Sequence, residues 1–162
     1  MVSYANRLPT CMLLGGNFTD NGEVTGWKSF ESLELAEKSI FVVKQDIRLL
    51  KEYVVKYWVD HIELMLSKHV VKASEVRYVI PHVSSMFFYY ELLKELELRN
   101  IDLGEDKWFT NLTWVGNMGS ASIFVALEEL MRTKPLRKGD EILLLVPESG
   151  RFSYGTALLK VV

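Results

Sequence analysis

Three stretches of this sequence combine polar side chains with sharp turns, and each lies where one regular element must hand over to the next. In Ile80-Pro81-His82-Val83-Ser84-Ser85, His82 follows a short apolar run and precedes a helical pattern. An imidazole there can donate from one ring nitrogen or exchange a proton near neutral pH. The carboxyl end of a strand in an open α/β sheet is also where ligands are commonly bound. A histidine that merely caps or packs beneath the helix suits the same position. In Val115-Gly116-Asn117-Met118-Gly119-Ser120-Ala121-Ser122, Asn117 offers an amide donor, and the glycines and serines allow close backbone approach. Asn and Ser are equally common as helix N-caps. The third stretch, Val146 to Gly155, connects two apolar runs through Glu148-Ser149-Gly150-Arg151. By itself it is a hairpin with a bulge. Its chemical content would be a backbone N–H aimed at an oxygen that gains charge during a reaction.

Other candidates carry less. His61 and His69 fall on or at the end of a long helical pattern, with no carboxylate arrangement that suits a metal. Cys11, the single cysteine, sits in a short apolar run without a neighbouring base and reads as a small buried hydrophobe. Phe87, Phe88, Tyr89 and Tyr90 are more typical of a core than of an acyl pocket.

The elements that must hold these residues follow from periodicity. From about Lys44 to Lys68, Ile47, Leu50, Val54, Trp58, Ile62 and Met65 recur at steps of three and four, which predicts one long amphipathic helix. Thr10–Gly15 is a short candidate strand, followed by a glycine- and asparagine-rich loop. Strands are then expected at Val76–Ile80, Lys107–Asn111, Glu141–Val146 and Phe152–Val162, with helices at Ser84–Leu98 and Gly119–Arg132. This alternation predicts an α/β layered domain over residues 1–162, with a largely parallel sheet.

Composition narrows the class. The chain has 162 residues, 49% apolar and 25% charged, with a net charge of −2. Those values belong to a soluble globular domain with a sizeable core, and no basic field points to nucleic acid. One cysteine permits neither an internal disulfide nor a cysteine metal cluster, which fits a reducing cytoplasm. The first ten residues lack a secretory pattern, and the apolar run Ile142–Val146 is far too short to span a bilayer. The expectation is a cytoplasmic chain that engages no membrane.

The three stretches, in their order, resemble a known family. "IPHVSS" resembles the strand-end histidine motif of β-ketoacyl-ACP synthase III, and "VGNMGSASIFVALEE" resembles its asparagine motif. "LRKGDEILLLVPESGRFSYGTALLK" resembles its closing strand, glycine loop and final strand. The resemblance is strongest over residues 75–162. It implies one half of a thiolase-like fold, with a mixed five-stranded sheet and helices on both faces. It implies acyltransferase chemistry, a decarboxylative Claisen condensation of an acyl thioester with malonyl-ACP in fatty acid or polyketide-like biosynthesis. His82 and Asn117 would be the catalytic pair. Phe87 and Gly150 would be substrate-binding. No metal or cofactor is implied. The nucleophilic cysteine would come from a first half that has no counterpart here, so this chain would be inactive alone. Its partners would be the acyl carrier protein, acyl and malonyl thioesters, and an N-terminal half or homologous subunit in a homo- or hetero-oligomer. The carrier would approach near Phe87 and the basic segment Arg132, Lys134, Arg137 and Lys138. Val83 to Phe87 depart from the usual family pattern and resemble aryl polyene and dialkylresorcinol relatives. An alternative of another class is a non-catalytic thiolase-like partner subunit. A third, should the resemblance mislead, is a small-molecule binding domain.

Overall fold

The computed structural model describes residues 1–162. The strands are β1 (Val2–Ser3), β2 (Met12–Leu13), β3 (Gly16–Phe18), β4 (Val24–Gly26), β5 (Lys44–Gln45), β6 (Val76–Pro81), β7 (Glu141–Glu148) and β8 (Ser153–Lys160). The helices are α1 (Ser32–Glu37), α2 (Ile47–Ser67), α3 (Met86–Leu98), α4 (Leu112–Val115) and α5 (Ser122–Thr133). The chain divides into two compact units, residues 2–54 with 148–153, and residues 55–147 with 154–162 plus Met1.

In the larger unit, β6 and β7 pair in parallel, with Ile80 opposite Leu144 and Pro81 opposite Leu145. Both strands are nearly continuous apolar runs, as strands buried on both faces must be. Side chains alternate between the two faces. Tyr78, Ile80, Ile142 and Leu144 pack with Phe109 and with Ile123, Ala126 and Leu130 of α5. Leu159 of β8 joins the same cluster. Val79, Leu143 and Leu145 point the other way and are also buried. Thr156, three residues before Leu159, points to that opposite face and lies 3.1 Å from His61 Nε2 of α2. Helices therefore cover both faces, α5 on one and α2 on the other.

The sheet has four strands, in the order β1-β8-β7-β6, not the five expected. Two of the expected strands are missing from it. The segment Lys107–Asn111 makes only a single parallel bridge, Trp108 to Val79, with Phe109 N–H donating to Val79 O at 2.9 Å. Lys107 still belongs to a 3₁₀ turn, and Asn111 already begins the next helix, so no ladder can grow. The Thr10–Gly15 run supplies only β2, which pairs with β5 in a separate two-stranded ladder. Ser149–Phe152, the link between β7 and β8, is too short for a parallel crossover, so the sheet is mixed.

The smaller unit is built from short ladders. β3 and β4 form a hairpin with Gly16 opposite Gly26. The expected start of α2 at Lys44 moves to Ile47. Lys44 and Gln45 are taken by β2, and Asp46 Oδ1 caps the helix by accepting from Arg48 and Leu49 N–H, both at 3.0 Å. No helix is long and apolar enough to cross a membrane.

His61 is buried, and its Nδ1 has no hydrogen-bond partner. Burial, with a lesser push from the N-terminal ammonium, holds its pKa below the ordinary histidine value. The unfolded chain therefore takes up the proton first. His61 contributes full stability above pH about 6.5, and that contribution declines as pH falls through the lower folded value. His61→Gln should consequently narrow the loss of urea midpoint between pH 7.5 and pH 5. An unchanged loss would show that other groups carry the acid sensitivity.

Candidate active site

His82 is the first residue beyond β6. Its N–H donates to Leu145 O at 2.8 Å, so the parallel ladder pins its backbone one residue past the strand. The side chain is half-buried. Nδ1 is sealed from solvent without a partner, which leaves Nε2 as the accessible ring nitrogen. Burial lowers its pKa, so the ring is neutral at neutral pH. An orphaned buried N–H is rarer and costlier than an under-used acceptor. That asymmetry favours the tautomer with its proton on Nε2, facing outward as a donor.

Asn117 lies between α4 and α5. Gly116 leaves α4 at φ +83°, a left-handed conformation suited to glycine, and turns the chain toward Asn117. Asn117 Oδ1 accepts from Gly119 N–H at 3.0 Å and from Ser122 Oγ–H at 3.2 Å. Ser122 Oγ in turn accepts from Met118 N–H at 2.8 Å. Two donors on Oδ1 fix the amide's orientation and leave Nδ2 as an exposed, uncommitted donor. The expected helix from Gly119 begins as a 3₁₀ turn over Gly119–Ala121 and becomes α-helical at Ser122.

A small cleft lies beside His82; Asn117 is not one of its walls, but its neighbour Gly116 and its bonding partner Ser122 are. Its walls include His82, Thr110, Asn111, Gly116, Ser122 and Ala126, and its volume of about 10 Å³ is room for roughly one water-sized group. His82 thus shares a cavity with Gly116, which precedes Asn117, and with Ser122, which bonds to it.

Not every expected residue stands at this cleft. Phe87 is half-exposed in the first turn of α3, edge-on to Phe88, and is not a wall of the cleft. Gly150 belongs to the other unit, where its N–H donates to the Glu148 carboxylate and its carbonyl accepts from Cys11 N–H at 2.8 Å. Cys11 is fully buried, and burial beside Asp46 and Glu148 pushes its thiol pKa to about 11, far from a nucleophilic thiolate. The basic segment begins with Arg132, ten positions along α5 from Ser122, or about 15 Å down the helix axis.

Three residues escape reading from sequence alone. Glu129 accepts from Asn111 Nδ2 at 2.8 Å through one carboxylate oxygen and from Trp114 Nε1 at 2.9 Å through the other. Asn111 is one of two buried polar side chains, the other being His61. Its position between Phe109 and Leu112 was the available signal.

The chain is similar to known proteins. Residues 66–161 match the family model of the 3-oxoacyl-[acyl-carrier-protein (ACP)] synthase III C terminal. A β-ketoacyl-[acyl-carrier-protein] synthase III from Clostridium kluyveri is 29% identical over 121 residues, covering 75% of this chain and 36% of the relative. Its counterpart from Clostridium beijerinckii is 34% identical over 90 residues, covering 56% and 26%. Among solved structures, 3-oxoacyl-(acyl carrier protein) synthase III from Pseudomonas aeruginosa PAO1 superposes with a TM-score of 0.67 at 17% identity, covering 99% of this chain and 43% of that one. A variant of OleA from Xanthomonas campestris gives 0.60 at 26% identity, covering 72% and 32%. The chain spans about a third of the length of the curated relatives it matches. With a parallel strand ending at His82, a glycine turn into Asn117 and a closing β7–β8 hairpin, it has the α/β architecture of half a thiolase fold and belongs to the 3-oxoacyl-ACP synthase III C-terminal family.

Proposed function

We propose that this chain is the oxyanion-stabilising half of a condensing enzyme, acting on a malonyl thioester while an acyl group is held on a cysteine supplied elsewhere. The observation that supports this most is the cleft itself. It is bordered by a neutral His82 with Nε2 accessible, and by the turn whose Asn117 amide has its oxygen doubly held and its nitrogen free. In such a site the bond between the malonyl α-carbon and its carboxylate breaks, and CO₂ leaves. The electron pair moves to the thioester carbonyl, giving an enolate. His82 Nε2–H and Asn117 Nδ2–H donate to that oxygen as its charge grows. The enolate carbon then attacks the acyl thioester, and the cysteine thiolate leaves as the new C–C bond forms. Donors fixed before the reaction need no reorganisation as charge develops, which is why a rigid amide and a neutral ring suit the step.

A second reading, a non-catalytic partner subunit of a catalytic homologue, draws on one observation. The Gly150 N–H that would serve an oxyanion is occupied by Glu148. One experiment separates the two. In the assembly with a cysteine-bearing half, His82→Ala and Asn117→Ala should each slow malonyl decarboxylation and condensation by roughly a hundred- to thousandfold. Transfer of a radiolabelled acyl group onto the cysteine should change little. Equal loss of both steps, or no loss in either, would end the catalytic reading. The acid limb of decarboxylation should lie below the ordinary histidine range, because burial makes His82 take up its proton only at lower pH.

The segment 112–133 leaves Trp114, Met118, Phe124 and Met131 exposed, at 63%, 42%, 67% and 60%. Phe124 and Met131 lie two turns apart on one exposed face of α5, which suits an interface. In sedimentation velocity the purified chain should self-associate or pair with a homologous cysteine-bearing half, and Phe124→Glu with Met131→Lys should weaken that association. A well-behaved monomer unaffected by both substitutions would count against the half-enzyme reading.

A further inference from the structure

The turn that presents Asn117 is tied to α5 at both of its ends. Ser122 holds the downstream end, through Asn117 Oδ1 and Met118 N–H. Glu129 holds the upstream end, through Asn111 and Trp114, the residues that open α4 and form its third position. Seven residues separate Ser122 from Glu129, two helical turns, so both lie on one face about 10 Å apart. Ala126 sits between them on that face, buried, and forms the cleft wall together with Ser122. One stripe of α5 thus carries an anchor, a small spacer and a second anchor beneath the segment 111–122.

The second anchor accepts through both of its oxygens. Asn111 Nδ2 and Trp114 Nε1 are both donors, so Glu129 must accept at both oxygens. Within the turn, Asn111 O accepts from Trp114 N–H at 3.2 Å and Val115 N–H at 3.0 Å, and Leu112 O accepts from Gly116 N–H at 3.0 Å. A four-residue helix is far below the length that persists unaided, so α4 depends on such ties. Asn111 also walls the cleft directly beside His82.

We infer that Glu129 is a positioning residue, which through Asn111 and Trp114 fixes the α4 turn and so the placement of Asn117 next to the His82 cleft, whose walls include its neighbour Gly116 and its partner Ser122. This rests on the role proposed above for Asn117, but the geometry it asserts is measurable without catalysis. In ¹⁵N-resolved spectra of the full chain, the Trp114 indole N–H, identified by its loss in Trp114→Phe, reports one anchor. The Met118 and Gly119 amides, bonded to Ser122 Oγ and Asn117 Oδ1, report the downstream end. Glu129→Gln puts an amide donor where an acceptor is needed. It should shift all three signals and raise hydrogen exchange at Met118 and Gly119 about tenfold or more. Glu128→Gln, beside it but paired only with Arg132 at 3.6 Å, should move none of them. The exchange Asn111→Asp with Glu129→Gln restores both matches, with the Gln oxygen accepting from Trp114 Nε1–H and the Gln NH₂ donating to the Asp carboxylate, and should return the amide protection. Should Glu129→Gln shift only the indole signal and leave Met118 and Gly119 unchanged, the inference is overturned.

In the assembly with a cysteine-bearing half, Glu129→Gln should lower kcat of decarboxylation by roughly ten- to a hundredfold, as a misplacement of about 1 Å can. KM should hold, and the double exchange should recover the rate. If Asn117→Ala proves harmless while the amide shifts occur as expected, the positioning stands and only the catalytic role of Asn117 fails. If Asn117→Ala is damaging while Glu129→Gln is silent in spectra and rate, the converse holds.

Discussion

The parallel pairing of β6 with β7 is the constraint on which the candidate site depends. Parallel neighbours cannot be joined by a tight turn and need a long crossover. Here that crossover is residues 82–140, and it contains α3, α4, α5 and both His82 and Asn117. The ladder does not stop at Pro81, because His82 N–H still bonds to Leu145 O. The imidazole therefore inherits the rigidity of a sheet buried on both faces, although it belongs to a loop. Asn117 has no such ladder. It is held by side-chain bonds to α5, and α5 is in turn seated on Tyr78, Ile80, Ile142 and Leu144. The same two strands thus position both groups, one directly and one at second hand.

Much of this was legible in the residues. Strong periodicity located α2 and α5, and the bounds of β6 and β7 came within two residues because apolar runs closed by Pro81 and opened by Gly139-Asp140 leave little choice. His82 stands at the strand-to-helix junction expected of it, whereas Asn117, expected to follow a strand, follows the short helix α4 instead. The fifth strand failed for a physical reason. Lys107–Asn111 has strand-like composition, but its length is consumed by a 3₁₀ turn at one end and a helix start at the other. Strand pairing is a property of the neighbour as much as of the segment, and only Val79 was in reach.

The polar contacts were the least legible. Glu128 and Glu129 look alike in sequence, yet one pairs with Arg132 at the surface and the other holds two donors of α4. Nothing but the phase of the helix distinguishes them: Glu129 lies two whole turns from Ser122. The Glu148 side chain closing on the Gly150 amide was likewise invisible, since a carboxylate two residues before a glycine in a hairpin is usually solvated. In both cases the partner of a charged group is set by three-dimensional placement, and local composition carries no trace of it.

The sealed Nδ1 of His82 bears on the kind of work the ring can perform. A histidine that relays a proton through its ring needs contacts at both nitrogens, one to receive and one to discharge. This imidazole has a single working face and behaves as a terminus in any proton wire. A proton acquired at Nε2 could leave only by the way it came, through the open side of the ring. Chemistry in which charge appears on an oxygen and disappears again fits that restriction, and a proton relay passing through the ring does not.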